Sequence, residues 1–307
     1  MEARVTENGR AGSSGEEPGL FPTAQEAERI VLGPESVLWR RFGDVRIYFG
    51  AGYALLLQVA HPTVGAGVRD HSDFERDPYG RLLRTMDYLS LLIYGGSEAV
   101  AVGRRLRRLH EPIRGTMADG TPYSALEPEA FAWVHATLLL AGLDTHERFV
   151  GHLGEGERDA FRAEFLPLGR LLGIAPGALP ADREGFRAYF EEMVADRLVR
   201  TESVDAVMRT LARPAGPPLP GPLARIWPLV RVPPARAVDL ATRGLLPPVL
   251  RSRFGVRWSL RDEAELRALA TASRATGLLL PRDLRVMGPA YLKWRRREIA
   301  AGPLGRD

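Results

Sequence analysis

The chain of 307 residues contains no cysteine. That excludes disulfides, iron–sulfur clusters, zinc ribbons, thiolate haem ligation and a cysteine nucleophile, and it fits a reducing compartment. Lysine is nearly absent too. Lys293, inside "KWRRREI", is the only one, so a Schiff-base or general-base lysine could stand nowhere else. Long apolar runs are missing: "YALLLQVA" falls far short of the roughly 20 residues that a membrane span needs. The opening residues, "MEARVTENGRAGSSGEEPG", hold neither an apolar signal core nor a twin arginine. We therefore expect a disordered leader over residues 1–33 and a cytoplasmic protein, with peripheral contact to a membrane surface left open. Several catalytic signatures are also lacking. There is no G-x-S-x-G elbow, Walker A loop, H-E-x-x-H pair or Glu-x-x-His pair, and "GAG" at 50–52 precedes an apolar helical run rather than following a strand.

What is present is an ordinary soluble composition, 45% hydrophobic and 26% charged. The formal charge is +4 and the pI about 9.7, because nearly every cation is an arginine. The basic stretch "GRRLRRLHEPIRG" lacks interleaved aromatics, and its arginines fall opposite Val102, Leu106 and Leu109. It reads as a solvated helix face, and no nucleic-acid partner is expected.

Apolar residues recur every three or four positions along most of the chain, and almost no segment alternates with period two. Leu38, Phe42, Val45 and Phe49 step this way, and "GAGYALLLQVA" is apolar on most sides, as a central buried helix should be. Asp77-Pro78 opens a helix that Gly95-Gly96 closes. A second helical run follows Ser97 to Arg114, "GTMADGTPYSALEP" is a turn-rich linker, and Glu127-Pro128 opens another long helix. Residues 159–172 and 183–213 also read as helices. We expect an all-α fold: a single helical domain over residues 34–300, crossed by a proline-rich strap at 213–234 and followed by a tail at 301–307.

The helix "RDPYGRLLRTMDYLSLLIYGG" sets Arg81, Arg84 and Thr85 beside an apolar stripe of Leu82, Met86, Leu89 and Ile93. Such arginines either hold an anionic group at a pocket wall or pair with Glu75, Asp77 or Asp87 on a solvated face. Of the six histidines, His110 and His135 lie along apolar helix faces, His135 with Phe131 and Leu138. Taken singly, each reads as a core histidine. Together with the arginines they suit haem b, with neutral imidazole as axial ligand, apolar walls and arginines on the propionates. A loop metal site at His61, Asp70, His71 and Asp73 lacks ligand spacing and reads as solvated carboxylates.

Two longer stretches, "LLLQVAHPTVGAGVRDHSDFERDPYGRLLRTMDYLSLLIYG" and "RRLHEPIRG...DGTPYSALEPEAFAWVHATLL", carry a more specific signal. Their combination of Q-x-A-H-P, D-P-x-G-R-L-x-R-T and Y-S-A-L-x-P with W-V-H-A-T resembles one catalytic-domain family over roughly residues 36–290. It is the family shared by rubber oxygenase (latex-clearing protein) and the ER-bound oxygenase of mycophenolic acid biosynthesis. The resemblance implies a globin-like helical core and haem b iron bound through a histidine. It also implies dioxygen chemistry on carbon–carbon double bonds of isoprenoids. The family's R-x-x-K-T falls on Arg81, Arg84 and Thr85, and its proximal histidine on His110, with His135 as the second candidate for the iron. Arg84 departs from the family's lysine, and arginine is a poor metal ligand. The resemblance thus gives Arg84 and Thr85 as catalytic residues and Arg81, His110 and His135 as cofactor-binding residues. The substrate it implies is an unsaturated, terpenoid- or lipid-like small molecule, oxidised with O₂. A haem carrier or sensor, and a cofactor-free helical scaffold, stand as alternatives.

Overall fold

Thr23 and Glu26 cap one another. Glu26 N–H donates to the Thr23 hydroxyl, and the Glu26 carboxylate accepts from Thr23 N–H. This reciprocal box starts α1 (Ala24–Ile30), inside the stretch read from sequence as a disordered leader. Arg170 donates to the Leu20 carbonyl at 3.2 Å and Arg104 lies over the Phe21 ring, so the residues before α1 are pinned to the domain. The computed structural model describes residues 19–212, 232–281, 285–286 and 288–301. Most of the leader, nearly all of the strap and most of the tail lie outside these described residues.

From α1 the chain passes through α2 (Val37–Phe42), a 3₁₀ turn (Val45–Gly50), α3 (Ala51–Val59) and α4 (Pro62–His71). A long antiparallel pair follows, α5 (Pro78–Tyr94) and α6 (Glu98–His110). The turn-rich linker holds a small hairpin, β1 (Arg114–Thr116) and β2 (Pro122–Ser124), with Gly115 opposite Tyr123. Next come α7 (Pro128–Thr145), α8 (Glu155–Phe165), α9 (Leu168–Leu171), α10 (Arg183–Glu192) and α11 (Glu202–Ala212). The last described helices are α12 (Val232–Leu245), α13 (Pro248–Arg253), α14 (Leu260–Leu279) and α15 (Gly288–Ala301). The fold is predominantly all-α, and the one sheet among the described residues is that hairpin.

Helices α3 and α7 form the centre because small residues let them approach. Trp133 on α7 is fully buried and donates its indole N–H to the Leu57 carbonyl of α3 at 2.9 Å. A Cβ built on Gly50 would stand 2.0 Å from the Thr145 hydroxyl, so glycine is the residue that fits. Trp133 also stacks on Phe190 of α10. A satellite cluster of Phe149, Leu240, Ala241, Leu266 and Ala270 joins the end of α7 to α12 and α14.

Several boundaries differ from the periodicity reading: the run from Ser97 ends at His110 rather than Arg114, the helix over 159–172 begins at Glu155 and breaks after Phe165, and two further differences have a visible cause. The long helix over 183–213 is broken between α10 and α11, where a π turn (Met193–Arg197) ends at Leu198 in an extended conformation. Arg253 holds that break by donating to the Val194 and Leu198 carbonyls, both at 2.5 Å. The other difference is at the end of the strap, where Val232 already begins α12 despite the prolines that follow it. Proline in a first turn forfeits no helical hydrogen bond.

Candidate functional site

Helix α5 starts as the sequence indicates. Asp77 is its N-cap and accepts from Gly80 N–H at 2.8 Å, with Pro78 in the first turn. At the other end Gly95 caps it and Gly96 takes a left-handed φ of +58°. Seventeen residues make α5 about 25 Å long at 1.5 Å per residue. Helix α15 clamps onto it: Arg295 reaches the Asp87 carboxylate with contacts of 2.7–2.9 Å, and Tyr291 donates its hydroxyl to Asp87 at 2.6 Å.

Behind α5 lies a cavity of about 420 Å³, walled by α3, α7, α11, α12 and α15 as well as α5 itself. Its lining is mainly apolar, with Leu55, Leu89, Leu138 and Val207 among the contributors. The size suits a small molecule, and such sites are typically apolar with a few placed polar groups. Most polar groups on the wall are already engaged. Gln58 donates to Thr137 at 3.0 Å, Thr210 to the Ala206 carbonyl at 2.9 Å, and Thr85 to the Arg81 carbonyl at 3.1 Å. Tyr94 differs: its hydroxyl is buried without a hydrogen-bond partner, and burial raises its pKa. The Tyr48 phenol, also on the wall, is pushed up to about 12 by burial.

Arg81 and Thr85, one turn apart, both face this cavity. The Arg81 guanidinium donates to the Ser72 hydroxyl and lies 5.9 Å over the Phe74 ring. Burial lowers its pKa, and the neighbouring Arg84 lowers it further. Arg84 itself turns away: its side chain is 55% exposed and sits 3.7 Å from Asp77. The structure therefore separates the two arginines, which the sequence alone left on one face.

The histidines also lie apart from the cavity wall. His135 is buried, with Nε2 donating to the carbonyls of Phe165 and Leu166 at 3.2 and 3.3 Å. Its ring stacks on Phe165 at 4.6 Å, and burial pushes its pKa down to about 4. That Nε2 is a committed donor, so His135 serves the packing of α7 against the end of α8. His110 is half-buried at the end of α6. Its Nδ1 donates to the Leu106 carbonyl at 2.8 Å, which fixes the tautomer and leaves Nε2 as the free nitrogen. The ring meets the edge of Phe131 at 5.9 Å. Phe131 is seven residues, or about 10 Å of helix, from the cavity residue Leu138.

A haem site of the implied kind needs an imidazole nitrogen opening onto the same apolar slot as the arginines. His110 has the right donor chemistry, but no described histidine lines the cavity. The residues as arranged do not fit a haem held between His110 and Arg81. Among the described residues no cluster of three or more His, Cys, Asp or Glu side chains could hold a metal ion, and no helix is long and apolar enough to cross a membrane.

Comparison with known proteins identifies the family. Residues 39–275 match the family described as ER-bound oxygenase mpaB/B'/rubber oxygenase, catalytic domain, and the chain belongs to it. Uncharacterised proteins of Mycobacterium bovis and Mycobacterium tuberculosis are each 28% identical to it over 233 residues, covering 74% of this chain and 87% of the relative. No solved structure matches. Membership carries an oxygenase role in general, and with it a small-molecule substrate and O₂.

The sequence pointed to an apolar pocket beside α5 but not to most of the residues that enclose it. Its walls come from positions as far apart as Phe42 and Tyr291. The detectable signals were local: the small residues of "GAGYA" on one wall and the mixed face of α5 on the other.

Proposed function

We propose that this protein is an oxygenase that takes an unsaturated, terpenoid- or lipid-like small molecule into the cavity behind α5. The observation that carries the reading is the cavity itself, an apolar space of about 420 Å³ walled in part by the helix that bears Arg81 and Thr85. An apolar wall excludes water and favours a greasy ligand, and α15 holds α5 in place through the Asp87–Arg295 pair at 2.7 Å. Thr85 and Arg81 are the residues of the shared motif that touch this space. Arg84 does not line it and lies on the exposed surface of α5, 3.7 Å from Asp77.

Haem b is the redox group that the family resemblance implies, and of its two candidate ligands, His110 and His135, His110 is the one whose Nε2 makes no hydrogen bond. His110 does not line the cavity. The test is oxygen uptake, measured with an oxygen electrode on protein as purified and after hemin addition, against a panel of unsaturated terpenoids and fatty acids. Substrate-dependent uptake with an oxygenated product by mass spectrometry supports the reading. No uptake with any member of the panel, in either preparation, overturns it.

A further inference from the structure

Apolar chemistry leaves unexplained the single charged side chain among the described residues that line the cavity, Arg81. The three carboxylates nearest in sequence are all engaged elsewhere. Glu75 pairs with Arg209 at 3.4 Å, Asp77 with Arg84 at 3.7 Å and Asp87 with Arg295 at 2.7 Å. Among the described residues no ion pair reaches Arg81. Its side-chain contacts are a neutral hydroxyl, Ser72, and the face of Phe74. Arg81 is half-buried, and a cation drawn partly out of water with no counter-ion is a natural place for an anionic group of a ligand to bind. A guanidinium is also the side chain best shaped for a carboxylate, which it grips through two parallel N–H donors.

We infer that the ligand of this cavity is an apolar acid, a long-chain carboxylic acid whose carboxylate pairs with Arg81 and whose chain runs along α5 towards Tyr94. The inference rests on the cavity being the substrate site, as proposed above. Arg81 and Tyr94 both line the cavity and are thirteen residues apart on one helix, about 20 Å along its axis. Between them the wall offers Leu82, Met86 and Leu89, spaced to follow a chain. At the far end the Tyr94 hydroxyl is buried without a partner, beside Gly43 and Gly288. It is an unused donor for an oxygen on that end of the ligand. Thr85 cannot compete for the carboxylate, since its proton is already given to the Arg81 carbonyl. Arg81 is thus a specificity-determining residue that selects acids over neutral lipids of the same length.

The experiment is displacement of Nile red, a neutral dye, from the full chain by oleic acid and by oleyl alcohol. It is run on the native protein, on Arg81→Gln and on Arg81→Lys. A charge-assisted pair predicts that the native protein prefers the acid roughly tenfold or more. Arg81→Gln should abolish that preference by weakening the acid and sparing the alcohol, while Arg81→Lys, which retains the charge, keeps part of it. Equal affinity of the native protein for acid and alcohol overturns the inference and leaves the cavity reading standing. Equal weakening of both ligands by Arg81→Gln also overturns it, since the arginine is then structural. Failure of both ligands to bind the native protein overturns the cavity reading together with the inference. A haem propionate offers the same carboxylate chemistry, so hemin titration is run alongside. Loss of hemin uptake in Arg81→Gln with an unchanged acid-to-alcohol ratio assigns the arginine to a propionate and overturns the inference.

Discussion

Gly52 on α3 lies so close to Thr242 on α12 that a Cβ on the glycine would stand 2.2 Å from the threonine hydroxyl. This contact sets the back wall of the cavity, because Gly52 also lines it. Gly52→Ala should destabilise the protein by about 1–3 kcal/mol, the usual range for overpacking. Thr242→Ala should cost less, since its buried hydroxyl has no partner to lose. The double variant should recover part of the Gly52→Ala loss, giving a coupling in a double-mutant cycle that chemical denaturation can read. Strict additivity would show that the two residues do not limit each other.

His135 and Asp144 are two buried groups on α7 that push stability in opposite directions with pH. Burial holds the His135 pKa at about 4, below its ordinary value of 6.5. Between those values the unfolded chain takes up a proton that the folded one refuses, so stability falls as pH drops from 6.5 towards 4. Burial raises Asp144, which accepts from Tyr53, to about 6 from 3.8. Between those values the folded chain holds the extra proton, so stability rises as pH drops from about 6 towards 4. Each effect is on the order of 3 kcal/mol at most. Asp144→Asn should therefore show a steady loss of stability below pH 6.5, and His135→Gln a gain below pH 6. Urea midpoints across pH 4–7 separate the two; the same profile in both variants would refute the assignment.

Arg84 stands in the shared motif but faces solvent. Arg84→Ala should change stability by no more than about 0.5 kcal/mol, as an exposed position does, and should leave Nile red affinity within twofold. Arg81→Ala, by contrast, removes a group from the cavity wall. A large effect of Arg84→Ala on ligand affinity would mean that α5 is rotated from the orientation described.

The histidines make a sharp forecast for any haem the protein takes up. His110 has a free Nε2, while His135 donates its Nε2 to two carbonyls. His110→Ala should remove the Soret band after hemin addition. His135→Ala should keep the band and lower the melting temperature. A Soret band lost only in His135→Ala would reverse the assignment.

Much of the fold could be read from local signals. Asp77-Pro78 and Gly95-Gly96 bound α5 because capping chemistry is local, and Glu127-Pro128 opens α7 for the same reason. The capping box at Thr23 and Glu26 was equally local, but the surrounding polar leader masked it. The break between α10 and α11 was not legible, since it is held by Arg253, more than fifty residues away. Nor could the sequence orient α5. Arg81 and Arg84 are only three residues apart, and which of them lines the cavity depends on how α5 packs against helices distant in sequence, α15 among them. Family-level motifs were visible because they are contiguous, whereas the cavity is a space between helices.

Central to the account is that an apolar molecule is oxidised within the cavity behind α5. The most direct test is oxygen uptake by the native protein and by Thr210→Trp, which places an indole into the cavity from α11. With an unsaturated ligand that the native protein oxidises, the variant should fold with an unchanged circular dichroism spectrum and lose most of the uptake. Uptake that persists undiminished in Thr210→Trp would place the chemistry elsewhere in the molecule and contradict the account.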